Sequence, residues 1–269
     1  MTEEMMTETA TSWQAWLNKS NDAPVFFILN SLAQPNPVDQ FYHNDWVEQA
    51  FPLYSGTPMH KMLKQSPWLV QAKSSQLYQV GEMLERHALS DNSWGWAYRS
   101  HIPWQEQLAH WQHRQLVMMN GEQVLFRIMD ARVFGAMIPA FTPGDWSLML
   151  SPVTELMIDT PQPMPFCRPD DCTEGNSEIP FTLGEHLLDV WLCSPYGLKV
   201  LTSSLYDDLW ENHGEKAKQL DQPVGSLELR IEQWLRQKIE AGHLVEKVFG
   251  QEYLLAMEQE KITGAMDYE

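Results

Sequence analysis

The chain has 269 residues and a formal net charge of −18, with 43% hydrophobic and 20% charged residues. This length is enough for one large domain or two smaller ones, and the hydrophobic fraction indicates a globular protein. No stretch of Lys and Arg is dense enough to follow a phosphate backbone, so the composition argues against nucleic acid and favours protein or small-molecule partners.

Residues 1–23 form an acidic leader, in which acids stand where a secretory signal would carry Lys or Arg. The first sustained apolar run, VFFIL, is far too short for a signal core or a membrane span. Three cysteines fit a reducing compartment better than a disulfide framework. We therefore expect a cytoplasmic protein with no membrane partner, in which Cys167 and Cys172 are free thiols.

Residues 24–152 alternate between strand and helix patterns. Short apolar runs predict strands at 24–30, 66–72 and 94–102, and helical periodicity predicts helices at 37–51, 74–88 and from Pro103 onward. Asn120-Gly121 then separates two apolar runs, which predicts a two-residue hairpin that pairs Leu116 with Leu125. This order predicts an α/β fold, with α+β as the alternative, built on a mixed sheet flanked by helices.

The rest of the chain has a different character. Prolines and clustered acids at 153–180 predict a connecting segment, and helical patterns over 181–269 predict a small all-helical lobe. Trp191, Trp210 and Trp234 lie in three separate helices of that lobe, which is more large aromatics than a small bundle needs. We expect at least one of them to be exposed and to contact a partner, although all three could simply fill the core.

The stretch NGEQVLFRIMDARVF, residues 120–134, sets Arg127, Asp130 and Arg132 among large apolar residues. The hairpin register places Arg114 opposite Arg127, and facing like charges destabilise a sheet unless a carboxylate intervenes. Asp130 could do so and could also cap the helix that follows. We therefore interpret Arg127 and Asp130 as buried or half-buried structural partners, with a role in binding a ligand or partner as the alternative.

Signals for catalysis are weak. The chain has no Gly-rich phosphate loop before a helix, no Gly-x-Ser-x-Gly elbow and no His-Glu-x-x-His motif. His110 and His113 are one helical turn apart with His101 nearby, and such a group could share a metal. They lie off the apolar face of their helix, where solvated histidines are usual. We predict no catalytic residue, cofactor or metal, and keep an enzyme that uses these histidines as an alternative.

Three segments occur in an order that resembles the family known as domain of unknown function 4123: PLYSGTPMHKMLKQSPWLVQA, WGWAYRS and LVMMNGEQVLFRIMDARVFGAMIPAF. The resemblance covers about residues 24–152, and its most specific elements are Pro67-Trp68-Leu69 and Phe126-Arg127 followed by Asp130-x-Arg132. Ala131 stands where the family usually has Pro, Ile128-Met129 replace a commoner aromatic pair, and Asn30 lies where Asp is frequent. No charge of the signature is lost.

The resemblance implies a non-enzymatic adaptor or chaperone of type VI secretion, similar to VasW-like and Tap-like proteins. Such a protein would bind a secreted effector protein and assist its loading onto the VgrG spike protein. The family offers no catalytic residues, and its signature residues Pro67, Trp68, Arg127, Asp130 and Arg132 are not an established site. An immunity-type protein that neutralises a toxin is a further alternative.

Overall fold

The computed structural model describes residues 12–19, 22–159, 162–173, 175, 179–242 and 250–266, with side chains as far as residue 259. Most of the predicted acidic leader lies outside the described residues. The chain divides into two compact units, the first ending at Gly184 and the second beginning at Glu185. In the described part of the chain, no helix is both long enough and apolar enough to cross a membrane.

The first unit combines helices and strands. Its helices are α1 (Trp13–Leu17), α2 (Pro37–His43), α3 (Leu77–Glu85), α4 (Trp104–His113), α5 (Ala131–Met137) and α6 (Pro143–Met149). Its strands are β1 (Val25–Asn30), β2 (Val47–Pro52), β3 (Pro67–Ala72), β4 (Gly95–Arg99), β5 (Leu116–Met119), β6 (Glu122–Leu125), β7 (Glu155–Asp159) and β8 (Pro163–Cys167). Short 3-10 helices cover Pro58–Gln65, Ser74–Gln76 and Ile138–Ala140.

Six strands form one sheet in the order β2-β3-β1-β4-β7-β8, and every neighbouring pair is antiparallel. Strands β5 and β6 form a separate hairpin. The predicted sheet with flanking helices and a helical C-terminal region is confirmed. The sheet is antiparallel rather than mixed, so the α+β form of the prediction applies.

The central strand β1 is buried along its whole length because helices cover both faces of the sheet. Alternate residues of a strand point to opposite faces. Phe27 therefore packs at 4.9 Å from Phe41 of α2, whereas Phe26 stacks at 5.3 Å on Tyr98. On that second face Trp96 packs at 5.0 Å from Phe134 of α5. The two faces thus bury two separate aromatic layers.

The hairpin prediction is confirmed in its register. Leu116 pairs with Leu125, and Asn120 and Gly121 have φ of 52° and 81°. Positive φ at both turn positions matches the twist of the two strands, which is why Asn-Gly is favoured there.

Two predictions are wrong. The helix predicted over 37–51 ends at His43, because Asp45 has a φ of 58° and breaks it, and residues 47–52 then form β2. The segment 153–180 is more than a connection, since it contributes β7 and β8 to the sheet. Strand β8 lies at the sheet edge, where Pro163 and Pro165 are tolerated because an outward-facing position needs no N–H donor.

The second unit consists of α7 (Glu185–Cys193), α8 (Pro195–Asn212), α9 (Gly214–Leu220), α10 (Leu227–Glu240) and α11 (Gly250–Met266). The predicted apolar stripe of α10 is confirmed, since Leu227, Ile231 and Leu235 are fully buried. They pack with Leu205 and Leu209 of α8 in one apolar core. This unit is therefore held by the apolar faces of its helices.

Candidate functional site

The signature loop between β6 and α5 is fixed to the sheet by backbone contacts. The Phe126 amide donates to the Gln115 carbonyl at 2.8 Å, which continues the hairpin by one step. The Trp96 indole Nε1 of β4 donates to the Ile128 carbonyl at 2.8 Å. Residues 126–130 therefore have a defined position, and Asp130 is held at the start of α5.

Asp130 is completely buried and acts as the N-cap of α5, as its position after the hairpin predicted. Its Oδ1 accepts from the Arg132 backbone amide at 3.1 Å and from Arg132 Nε at 2.9 Å. Its Oδ2 accepts from Arg132 Nη2 at 2.8 Å. Arg132 thus pairs with both carboxylate oxygens, the bidentate geometry in which an Arg–carboxylate pair is strongest.

Arg127 is an additional cation at this cluster. Its Nη2 lies 3.3 Å from Asp130 Oδ2, and 51% of its side chain is exposed, compared with 31% for Arg132. Because Arg132 already neutralises the carboxylate, the three side chains carry one surplus positive charge. The structure therefore brings the three predicted residues together, but as one close pair and one looser, half-exposed partner.

The expectation that Arg114 faces Arg127 is wrong. The hairpin pairing ends with the Phe126–Gln115 hydrogen bond, one step beyond Leu116 and Leu125, and Arg114 already belongs to the end of α4. Arg114 ends α4, where it is buried and donates to the Leu148 carbonyl at 2.9 Å and to the Ile179 carbonyl at 2.7 Å. The two arginines thus have separate partners, and no carboxylate is needed between them.

Two titratable groups lie near the cluster. Burial raises the pKa of the Tyr54 phenol, and the positive charge of Arg127 partly offsets this rise. Burial alone would raise the pKa of Asp91, but hydrogen bonds from Ser93 and from the Gln34 amide, together with the charge of Arg132, lower it overall. The charges of Arg127 and Arg132 therefore influence the pKa values of groups in the loops that precede β3 and β4.

The departure at Asn30 has a local explanation. Asn30 Nδ2 donates to Ser93 Oγ at 3.0 Å, and that hydroxyl donates to Asp91 Oδ1 at 2.7 Å. An ionised Asp at position 30 has no N–H to donate and would add a second negative charge beside Asp91. In this chain the Asn30 amide therefore completes a hydrogen-bonded series that an ionised Asp at this position could not.

Pro67 and Trp68 open β3 at the end of the sheet where Asn30 ends β1, and Pro67 is opposite Asn30 in the ladder. Pro67 is buried, and Trp68 is half-buried with its ring 6.3 Å from that of Tyr42. Just before them, Ser66 Oγ accepts from the Tyr54 amide at 2.9 Å. This bond holds Tyr54 at the start of β3, and the phenol of Tyr54 in turn lies within the influence of the Arg127 charge.

The three histidines do not converge. His110 is buried with Nε2 2.9 Å from the Met149 carbonyl, and burial lowers its pKa to about 4. His101 is exposed with Nε2 3.9 Å from Asp22 Oδ1, and His113 is exposed. No group of three or more His, Cys, Asp or Glu side chains that could hold a metal occurs in the described ranges.

The tryptophans of the second unit have different environments. Trp234 is buried, with its ring 5.3 Å from that of Tyr253 and with Lys238 Nζ 5.2 Å from the ring centre. Trp191 is half-buried, whereas Trp210 is 38% exposed and packs at 6.1 Å from Tyr206. Trp210 therefore has the exposed ring that a partner contact requires.

A buried ion pair between β4 and β7 was not predicted from the sequence. Arg99 Nε lies 3.0 Å from Glu155 Oε1, and both side chains are buried. The Arg99 guanidinium also donates to the carbonyls of Ala23, Trp16 and Leu17. An Arg at the end of an apolar strand was the only signal, because its partners lie in three other segments.

Residues 25–148 match the family model described as Domain of unknown function (DUF4123). Neither a curated protein sequence nor a solved structure matches the chain. The matched range runs from β1 through most of α6 and contains Pro67, Trp68 and the three signature charges. The resemblance to the DUF4123 family is therefore confirmed over residues 25–148.

Proposed function

We propose that the protein is a non-enzymatic adaptor or chaperone, which binds a type VI secretion effector in the cytoplasm and assists its loading onto the VgrG spike. The match of residues 25–148 to the DUF4123 family carries this proposal. The resemblance of the signature segments to this family implies a role like that of VasW-like and Tap-like adaptors, which supports the proposal. An adaptor acts by surface complementarity and needs no perturbed acid or base.

The use of the signature residues supports a binding role over a catalytic one. The Asp130 carboxylate is buried and paired on both oxygens with Arg132, so it is poorly placed to accept a proton from a substrate. The His110 ring is buried against the Met149 carbonyl. The alternative enzyme with a His101, His110 and His113 centre has less support for this reason.

Affinity purification from the native strain tests the proposal. A tagged copy of the chain should capture a secreted effector and VgrG, and deletion of the gene should block export of that effector alone. If neither partner is captured from cells that make all three proteins, and export is unchanged, the proposal is wrong. Protection of cells against the toxin, with normal export, would instead favour the immunity-type alternative.

Trp210 is the candidate effector contact in the second unit, and Trp234 provides its matched control. Trp210→Ala should weaken co-purification of the effector with little change in melting temperature, because its ring is partly exposed. Trp234→Ala should lower the melting temperature, because its ring fills the core. If every Trp variant that loses the effector also unfolds, including Trp191→Ala, the effector binds elsewhere.

A further inference from the structure

The outer edge of strand β6 has open backbone groups. In an antiparallel ladder, residues alternate between pairs that exchange hydrogen bonds and pairs that do not. The Phe126 amide bonds to Gln115, so by this alternation Val124 and Glu122 bond to β5, and the N–H and C=O groups of Gln123 and Leu125 point outward. Within the described ranges, those groups have no hydrogen-bond partner.

Among the residues that the structure describes, only the β5 side of the hairpin is covered. On the β5 side, the Met118 amide donates to the Phe181 carbonyl at 2.8 Å, and the Leu183 amide donates to the Met118 carbonyl at 2.9 Å. On the β6 side, Gln123 is exposed and Leu125 is 41% exposed. Strand β6 also has neither Pro nor Lys, the residues that commonly block pairing at an edge.

A groove of about 500 Å³ lies against the hairpin and reaches Gln123 of β6. Its lining includes Pro58, Met59, Gln112, Leu116 and Gln123. In the hairpin register, Leu116, Gln123 and Leu125 share one face, so that face borders the groove. A strand added to β6 would place every second side chain on this same face of the hairpin.

Arg127 supplies a cation at the end of the same edge. Its only ion-pair or hydrogen-bond partner among the described residues is Asp130, which Arg132 already neutralises. Its charge partly offsets the rise in the pKa of the Tyr54 phenol. The backbone carbonyl of the next residue, Ser55, accepts from Gln112 Nε2 of the groove wall at 2.8 Å. A half-exposed guanidinium with free N–H groups binds a carboxylate well.

We propose that the outer edge of β6 together with Arg127 is a docking site for an extended, acidic peptide segment. The segment pairs with the backbone of Gln123 and Leu125 as an added strand and places one carboxylate on the Arg127 guanidinium. The proposal rests on the proposed function only for the source of the segment, which would be the effector. A short edge buries too little surface for a stable dimer of two copies of this chain.

Selection from a phage-displayed library of random peptides of about ten residues tests the site without a known effector. Clones selected on the native protein should be rich in β-branched residues and carry an acidic residue at a preferred position. Gln123→Pro removes the outward N–H and leaves the β5–β6 ladder intact, so it should weaken these peptides about tenfold. Gln123→Ala, which keeps the N–H, should bind them nearly as the parent does.

Two substitutions of Arg127 test the role of its positive charge. Arg127→Gln should weaken the acidic peptides about tenfold or more, and Arg127→Lys should retain part of the affinity. Arg86→Gln is the matched control, because Arg86 is also exposed and also pairs with one acid, Glu82. Equal melting temperatures of the variants and the parent would show that each loss reflects the surface and not unfolding.

Selected peptides that bind the Gln123→Pro and Arg127→Gln proteins as tightly as the parent would overturn the proposal, as would a selection that yields no acidic β-rich clones. A parent dimer that Gln123→Pro dissociates in sedimentation would assign the edge to a second copy and would also overturn it. Neither result bears on the adaptor role, which the capture of effector and VgrG decides separately.

Discussion

The two units of the chain differ in what their interiors contain. The N-terminal unit buries ionisable side chains among its aromatic residues, including Arg99, Arg114, Asp130 and Glu155. In the described part of the C-terminal unit, Thr202 and Asp221 are the only buried polar residues, and the rest of the core is apolar. The first interior depends on the pairing of buried charges as well as on packing, and the second depends mainly on packing.

This difference affects how each unit should respond to substitution. A buried charge that loses its partner remains desolvated and uncompensated, so one substitution acts on several segments at once. An apolar core that loses methyl groups keeps its remaining contacts and acquires a cavity. The N-terminal unit should therefore be the more sensitive to removal of a single polar group.

Arg99→Ala should have the largest effect on stability. It leaves Glu155 buried with Lys19 as its remaining partner among the described residues, and it removes three hydrogen bonds to backbone carbonyls, two of them in α1. We expect a loss of about 3–5 kcal/mol in the free energy of unfolding, measured by urea denaturation. Arg86→Ala, at an exposed ion pair, is the control and should change stability little.

An Arg99→Ala protein as stable as the parent would mean that the buried pair contributes nothing. The N-terminal unit would then not differ from the C-terminal unit in the way proposed above.

Leu235→Ala should destabilise the C-terminal unit by about 3 kcal/mol, because Leu235 is fully buried and its removal leaves a cavity. Leu229→Ala in the same helix is the matched control, since Leu229 is 57% exposed, and should change stability by less than about 0.5 kcal/mol. Hydrogen exchange should show faster opening of α8 and α10, with β1 to β4 unchanged. Equal effects of the two substitutions would contradict the packing of α10.

His110 should make the N-terminal unit sensitive to acid. Its folded pKa is lowered from about 6.5 to about 4, so the unfolded state binds the proton first as the pH falls. The contribution of neutral His110 is therefore complete above pH 6.5 and is lost between pH 6.5 and 4, by about 2–3 kcal/mol. His110→Gln can keep a hydrogen bond to the Met149 carbonyl and should reduce this pH dependence, measured as urea midpoints across the range.

If His110→Gln and the parent lose stability in parallel as the pH falls, His110 is not the group responsible. The carboxylates of the unit would then account for the whole slope.

The smallest effects concern the signature charges. Asp130→Ala removes the cap of α5 and the partner of Arg132 and should cost about 1–2 kcal/mol. Arg127→Ala should cost less than about 1 kcal/mol, because Arg127 is half-exposed and Arg132 still pairs with Asp130. A loss of about 2–4 kcal/mol for Arg127→Ala, expected for a fully buried pair, would mean that the exposed geometry is not the one in solution.

Much of the N-terminal fold follows from local pattern, and the errors have local causes. The apolar runs that became β1, β3 and β4 were short and bounded by turn residues, so their assignment was direct. The helix over 37–51 failed because Asp45 adopts a positive φ that its residue type permits but does not require. Strands β7 and β8 were missed because prolines in a sequence signal a loop unless the edge position is known.

The candidate site was predictable only in part. The cap role of Asp130 follows from its place before a helix, because capping depends on neighbouring residues. Arg132 pairs with both carboxylate oxygens, and Arg127 is left half-exposed. This arrangement depends on the side chains packed around the two arginines. The open edge of β6 depends on which segment covers the other side of the hairpin, and the hairpin sequence contains no information about that segment.

By itself the sequence determined the turn at Asn120-Gly121, the register of its hairpin and the buried stripe of α10. Each of these depends on backbone preferences or on periodicity within a few residues, so the information is local. Only the tertiary structure decided that Arg99 pairs with Glu155 and holds α1, and that Arg114 and Arg127 have separate partners. A buried charge is stable only where the fold brings a partner and backbone carbonyls from distant segments together, and that arrangement is a property of the assembled sheet.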